Sequence, residues 1–307
     1  MRKLALTWLI IMVFSSCGYY STTITDAPVI RIAYLPITHS AAVMVLPEVV
    51  RVNGNDEFFI ELVRFTAWPE VVEALRARRV DGASILMEVA MRAFEVDPSL
   101  AVVSLSHRDG NVIVVDNYVE CFQGLIGKTV AIPHALSPHN SLLRQVFERE
   151  GISIEDINLV EISPAEMPFT MAARAISAYV VAEPWGSLAE ARGIGRILET
   201  SNNIIPDSVC CVLLFNREVF EEHTGLYNWF LDRFYEAANY AGQRHEKVFE
   251  AFKESTRFET AIIRQSMENT TFENLYLTRD DFEIVSQNIL RFGVLDEIPN
   301  FDDFVMR

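Results

Sequence analysis

Residues 131–145, AIPHALSPHNSLLRQ, bring two histidines, two serines and an asparagine to the start of an apolar run. Ser137 followed by Pro138 is a helix start: serine accepts from first-turn amides, and proline at the first helical position gives up no needed donor. Leu142, Leu143, Val146 and Phe147 then recur at helical spacing, and Gly151 can close the helix in a left-handed cap. His139 falls in the first turn, at the positive end of the helix dipole, where free backbone amides favour an anion. The dipole disfavours imidazolium, so a neutral ring with one N–H to donate is expected. Such a grip suits an oxygen-rich group, at about 1.5–3 kcal/mol per charge-assisted hydrogen bond.

The same arrangement recurs along the chain. ITHSAA sets Thr38, His39 and Ser40 just after an apolar strand, and RFTAWPE sets Thr66 and Trp68 after another. Ser84 follows DGA, and Glu183 and Trp185 follow VVA. In open α/β sheets, ligands bind at the carboxyl ends of strands, so Ser40, Trp68, Ser84, Ser137, His139 and Glu183 are the candidate ligand residues. Past the N-terminal segment, the cysteines Cys121, Cys210 and Cys211 show no paired metal spacing. Adjacent cysteines bond each other poorly; Cys121 could pair with one of them, or all could be buried thiols. No metal and no cofactor is expected. No G-x-S-x-G, H-E-x-x-H or phosphate-loop pattern supplies a catalytic residue.

These residues need a scaffold of alternating strands and helices. VIRIAYLP, FFIELVRF, DGASILM, SLAVVSLS, NVIVV, TVAIP, INLVEIS, AYVVAEP and CCVLLFNREVF read as strands, and WPEVVEALRARRV, PHNSLLRQVFEREG, PFTMAARAI and SLAEARG as helices. The class is α/β with mostly parallel, helix-covered sheets. A fresh round after QGLIGK suggests two lobes, 28–111 with 205–307 and 112–204, joined by crossings near 111–116 and 201–212 that would make a hinge. The segment after residue 220 reads as mostly helical and is expected to return to the first lobe.

Half of the 307 residues are hydrophobic, enough for a large core, and the formal charge is −16. No basic stripe offsets that charge, which argues against a nucleic-acid partner. An anionic ligand would have to be held by local donors. At the N-terminus, Arg2 and Lys3 precede LALTWLIIMVF and then SSC. A basic start, a short apolar run and a small-residue exit describe a secretory signal over 1–16, too short to span a bilayer comfortably. Ser15, Ser16 and Cys17 resemble the lipobox of bacterial lipoproteins, with Phe14 departing from the usual aliphatic residue. That resemblance implies lipidation of Cys17, a tether over 17–27, and a chain held on the outer side of the cytoplasmic membrane.

From RIAYLPITHSAA onward the chain resembles periplasmic substrate-binding proteins of nitrate/sulfonate/taurine-type ABC importers, most of all the nitrate- and bicarbonate-binding branch. DGASILM, GLIGKTVAIPHALSPHNSLLR, SPAEM and AEPWGSLAEARGIGRIL carry the likeness. It implies a type II two-lobed binding-protein fold, a monomer that captures a small solute between its lobes, and an ABC permease and ATPase as partners. It also places His139 on the ligand and Asn111 near another polar contact. Two departures stand out: Glu88 lies where a carboxylate would repel an oxyanion, and no lysine offers a cleft cation, Arg108 being the nearest candidate. A flat heterocycle such as a thiamine-precursor pyrimidine, stacked on Trp68 and Trp185 with Glu183 or Glu88 accepting from an amino group, is an alternative ligand. An enzyme on this fold, using His139 and Glu183 as base and partner, and a sensor that does not transport are alternative roles.

Overall fold

The computed structural model describes residues 27–54 and 58–307. The expected signal over 1–16, Cys17 and nearly all of the tether lie outside the described residues. Twelve strands run through the described chain: β1 Val29–Tyr34, β2 Phe59–Arg64, β3 Gly82–Leu86, β4 Leu100–Leu105, β5 Arg108–Asp109 and β6 Asn111–Asp116. They continue with β7 Thr129–Ile132, β8 Asn158–Glu161, β9 Ala178–Ala182, β10 Gly195–Thr200, β11 Cys211–Asn216 and β12 Thr270–Thr271. One sheet has the order β2-β1-β3-β11-β4, a second β10-β6-β9-β7-β8, and β5 and β12 form a short ribbon.

Each large sheet is mostly parallel, and the exceptions have one cause. β1 runs parallel to β2 and β3, whereas β11 is antiparallel to both β3 and β4. β7 runs parallel to β8 and β9, whereas β6 is antiparallel to β9. β6 and β11 are the strands by which the chain enters a sheet from the other one. Cys211 pairs with Leu86, the last residue of β3, and Asn111 with Ala182, the last residue of β9. Both crossings therefore reach their sheet at its carboxyl edge, so the entering strand must run backwards. That topology brings residues 106–110 and 205–210 to the edges where ligands collect on such sheets.

The expected crossing at 111–116 is corrected by this arrangement, because those residues are β6 itself and the crossing precedes them. The two crossings are tied together. The Asp109 amide donates to the Ser208 carbonyl at 2.9 Å, and the Ser208 amide and hydroxyl donate to Asp109 Oδ1 at 3.0 and 2.9 Å. Arg108 is not a cleft cation. Its guanidinium grips Asp281 bidentately, at 2.9 and 2.8 Å, and donates to the carbonyls of Asp207 and Asn274.

The helices form where the periodicity predicts them. Ser137 caps the Pro138–Glu150 helix by accepting from the Asn140 amide at 3.2 Å, and Gly151 ends it at φ 70°. Leu143, Val146 and Phe147 pack with Val130, Ile132 and Val180 in a core on one side of the second sheet. The Leu226–Gly242 and Glu246–Thr256 helices return to pack on the Ala41–Val52 helix, as expected of the tail. The Thr260–Met267 helix instead reaches the Trp185–Ala191 helix beside the second sheet. Among the described residues no disulfide forms: Cys121 is free and exposed, Cys210 and Cys211 free and buried.

Candidate ligand site at the facing sheet edges

Three carboxyl-edge segments bring four residues into one buried cluster. His39 sits in a single 3-10 turn, Thr38–Ser40, after β1; His107 lies between β4 and β5; Cys210 precedes β11 and Cys211 opens it. One ligand atom from each of these four lies within 4.8 Å of the others, and all four residues are fully buried. His39 Nδ1 is 3.6 Å from Cys210 Sγ and 3.5 Å from Cys211 Sγ, and the two sulfurs are 3.8 Å apart. The His39 and His107 rings stack at 3.6 Å with 22° between their planes. The His139 ring, from the first turn of the Pro138–Glu150 helix, lies nearly parallel to that of His39 with centroids 6.5 Å apart. Both ring nitrogens of His107 and of His139, and His39 Nε2, have no hydrogen-bond partner among the described residues.

Burial decides the protonation of this cluster. It holds the His107 and His139 rings neutral down to about 4, with the neighbouring histidines adding to the effect. The expected neutrality of His139 is thus present, but desolvation rather than the helix dipole causes it. Burial by itself raises the Cys210 thiol, yet the hydrogen bond from Cys211 and the adjacent His39 and His107 outweigh it and bring it well below the ordinary range. Burial and the neighbouring Cys210 push Cys211 well above that range. Two thiolates 3.8 Å apart without a cation between them would repel strongly, so one sulfur carries the charge and the other its proton.

The other candidate residues divide into two groups. Ser40 donates to Ser84 at 3.4 Å, and Ser84 is 2.9 Å from Ser106, making a buried row of hydroxyls along the edge of the first sheet. Asn111 Oδ1 lies 3.8 Å from Cys210 Sγ, while its Nδ2 has no partner among the described residues. Glu183 bridges the sheets through its backbone, its carbonyl accepting from the Thr38 amide at 2.8 Å and its amide donating to Gly110 at 3.0 Å. Its carboxylate is already occupied by the Ser187 amide and hydroxyl and by Asn269. Burial nevertheless raises its pKa.

Ser137 and Trp68 stand apart. The Ser137 hydroxyl donates to the His134 carbonyl at 2.6 Å while accepting the helix cap, so its role as a ligand contact is replaced by a structural one. Trp68 is 1% exposed and packs in the apolar core, which replaces its reading as an open stacking face. Trp185 meets Phe258 edge-on at 5.0 Å. The pairing of His139 with Glu183 that an enzyme would use is not made, since neither ring nitrogen of His139 has a partner among the described residues.

Glu88 is buried beside the cluster, its Oε1 accepting from Ser141 at 3.5 Å and its Oε2 unpartnered among the described residues. Burial raises its pKa well above the ordinary carboxylate value, which weakens the repelling charge the sequence suggests. It forms the floor of a pocket of about 210 Å³ whose walls include Ser141 and Gln145 on one side and Asp207, Asp281 and Asn288 on the other.

Sequence reading did not single out His107, and it set Cys210 and Cys211 aside for want of paired metal spacing. His107 ends a predicted strand just as His39 does, so the carboxyl-end rule could have found it. Nothing in the sequence brings Cys210 to the same edge. Only the antiparallel course of β11 does that.

The class these features define is a two-lobed α/β binding protein of type II. Residues 25–253 match the model of the NMT1-like family, and the chain belongs to that family. Among solved structures it is similar to the ligand-binding component of an ABC-type import system from Staphylococcus aureus, solved with zinc bound. That likeness is 30% identical with a TM-score of 0.85, covering 91% of this chain and 96% of the other. The periplasmic nitrate-binding protein of Synechocystis shares the fold at 16% identity, with a TM-score of 0.76 over 91% of this chain and 84% of that one. A nitrate import ATP-binding protein from Synechocystis is 25% identical over 194 residues, 56% of this chain but 29% of that protein. The chain thus spans under a third of the length of the curated relatives it matches.

Proposed function

We propose that this chain is the solute-binding component of an ABC importer, working outside the cytoplasmic membrane. It captures a small solute between lobes 28–111 with 205–307 and 112–204, and hands it to a membrane permease driven by an ATPase. The observation that carries this reading is the edge-to-edge meeting of two sheets, joined by two crossings, over imidazole and amide groups that have no partner among the described residues. Buried polar groups are normally hydrogen-bonded, so a site with this many open donors and acceptors is built for something that arrives. The site is fully buried, so a ligand enters only when the lobes part, and closure draws its energy from contacts to both.

Lipidation at Cys17 would hold the protein on the membrane as a monomer, beside its permease. Likeness to the nitrate-binding protein supports a small oxyanion as solute, held by neutral imidazole N–H groups and backbone amides at the Pro138 helix start. Likeness to the zinc-bound Staphylococcus aureus component supports a site that also admits a metal. No step of covalent chemistry is assigned to it.

The test is a thermal-shift panel on the full chain with nitrate, bicarbonate, alkanesulfonates, aminopyrimidines and divalent metal salts, followed by small-angle scattering. A true solute at a hundred times its Kd adds about 2.7 kcal/mol of stability and compacts the particle. His139→Ala should weaken that solute at least about tenfold, or about 1.4 kcal/mol, with the fold retained by circular dichroism. A panel in which no compound alters either melting or compaction would remove the receptor reading.

A further inference from the structure

We propose that His39, His107, Cys210 and Cys211 form a mononuclear site for a thiophilic divalent transition-metal ion of the zinc type, and that this ion is the solute the receptor takes up. The proposal rests on the receptor reading and names its substrate class.

The geometry comes first. With Zn–S near 2.3 Å and Zn–N near 2.0–2.1 Å, a tetrahedral site has S···S edges of about 3.8 Å and S···N edges of about 3.5–3.6 Å. The structure has 3.8 Å between the two sulfurs, and 3.6 and 3.5 Å from them to His39 Nδ1. These three atoms outline one face of such a tetrahedron, and His107 supplies a fourth ligand atom within 4.8 Å of each. Such separations are also ordinary contact distances, so they do not decide alone. What decides is convergence: three segments from separate parts of the chain present two imidazoles and two thiols to one point.

Charge agrees with geometry. Two thiolates and two neutral imidazoles balance a divalent ion to zero, which suits a fully buried site. No lysine or arginine is among the cluster residues, and Arg108 is committed to Asp281. A bare anion placed against the sulfurs would have no counter-charge. Binding replaces the one remaining thiol proton by the metal, and that proton leaves to solvent. Asn111 contacts Cys210 Sγ at 3.8 Å, and Gly110 packs close to the outer edge of His39, so both help to hold the ligands in place. A two-sulfur, two-nitrogen set selects zinc-like ions over magnesium or calcium, which take oxygen ligands. His139, whose ring lies 6.5 Å from that of His39, is the group through which the second lobe would sense the filled site.

The experiment uses the full chain, reduced and stripped of metal by chelator. Zinc should bind one to one in a chelator-competition titration, and cobalt(II) should give the intense visible bands of tetrahedral coordination with a thiolate charge-transfer band. Magnesium and calcium should give neither. Cys210→Ser and His107→Ala should each weaken zinc at least about a hundredfold, with unchanged circular dichroism, while Cys121→Ser should leave affinity and bands intact. Cobalt bound without the thiolate band, or zinc binding lost in Cys121→Ser alone, overturns the site. Zinc that binds without compacting the particle overturns its role as solute. If zinc fails while nitrate or a sulfonate stabilises and compacts the protein, the metal assignment falls and the receptor reading stands.

Discussion

Buried neutral histidines make this fold sensitive to mild acid, and the size of the effect follows from the structure. His107 and His139 are held neutral down to about 4, against 6.5 for a free imidazole. Between those values the unfolded chain binds protons that the folded chain refuses. Stability is therefore undiminished above about pH 6.5 and is lost as pH falls towards 4. Linkage gives about 2 kcal/mol lost per histidine between about pH 7.5 and about pH 5, and about 3 kcal/mol by pH 4. For both rings together that is a sizeable share of the 5–15 kcal/mol typical of a folded domain.

Glu88 and Glu183 act with the opposite sign. Burial raises their pKa values, so protonating them in the folded state restores stability as pH falls. The clean measurement is consequently a difference. Urea unfolding of the metal-free protein at about pH 7.5 and about pH 5 should show His139→Leu losing about 2 kcal/mol less than the parent chain over that interval. An identical loss in both proteins would refute the claim that a desolvated His139 controls the acid limb.

Gly110 has φ +86°, and a Cβ there would lie 2.6 Å from Thr270 Oγ1 and 2.9 Å from His39 Nε2. Gly110→Ala should therefore cost about 2–5 kcal/mol from backbone strain and overpacking, and weaken solute binding by displacing His39; calorimetry checks both. Asp281→Ala would strand Arg108 at the junction of the crossings and should cost about 3–5 kcal/mol in chemical denaturation. Cys17→Ser should abolish incorporation of a labelled fatty acid in cells, and persistent labelling would refute lipidation there.

Much of the scaffold was legible because its signals are local. Ser137-Pro138 and Gly151 mark both ends of a helix through backbone chemistry that operates within a few residues. Runs such as VIRIAY and CVLLFN are strands by composition. His139, Ser40, Ser84, Asn111 and Glu183 stand as candidate ligand residues because ligands collect at the carboxyl ends of strands on this class of fold. Trp68 and Ser137 were misread for the converse reason. Position at a strand's end does not tell whether a ring turns inward to the core or a hydroxyl is taken by a cap.

The sequence by itself determined an α/β chain of two sheets, the helix that carries His139 and, through family likeness, a binding protein. Local propensity and hydrophobic period suffice for such features because they act over neighbouring residues. Only the tertiary structure decided that His39, His107, Cys210 and Cys211 meet, that burial raises the pKa of Glu88, and that Arg108 belongs to Asp281. Those outcomes depend on the direction in which β11 enters its sheet and on how completely water is excluded from the edge where it starts. Burial and encounter across 170 residues of chain are properties of the folded whole, with no counterpart in the spacing of the letters.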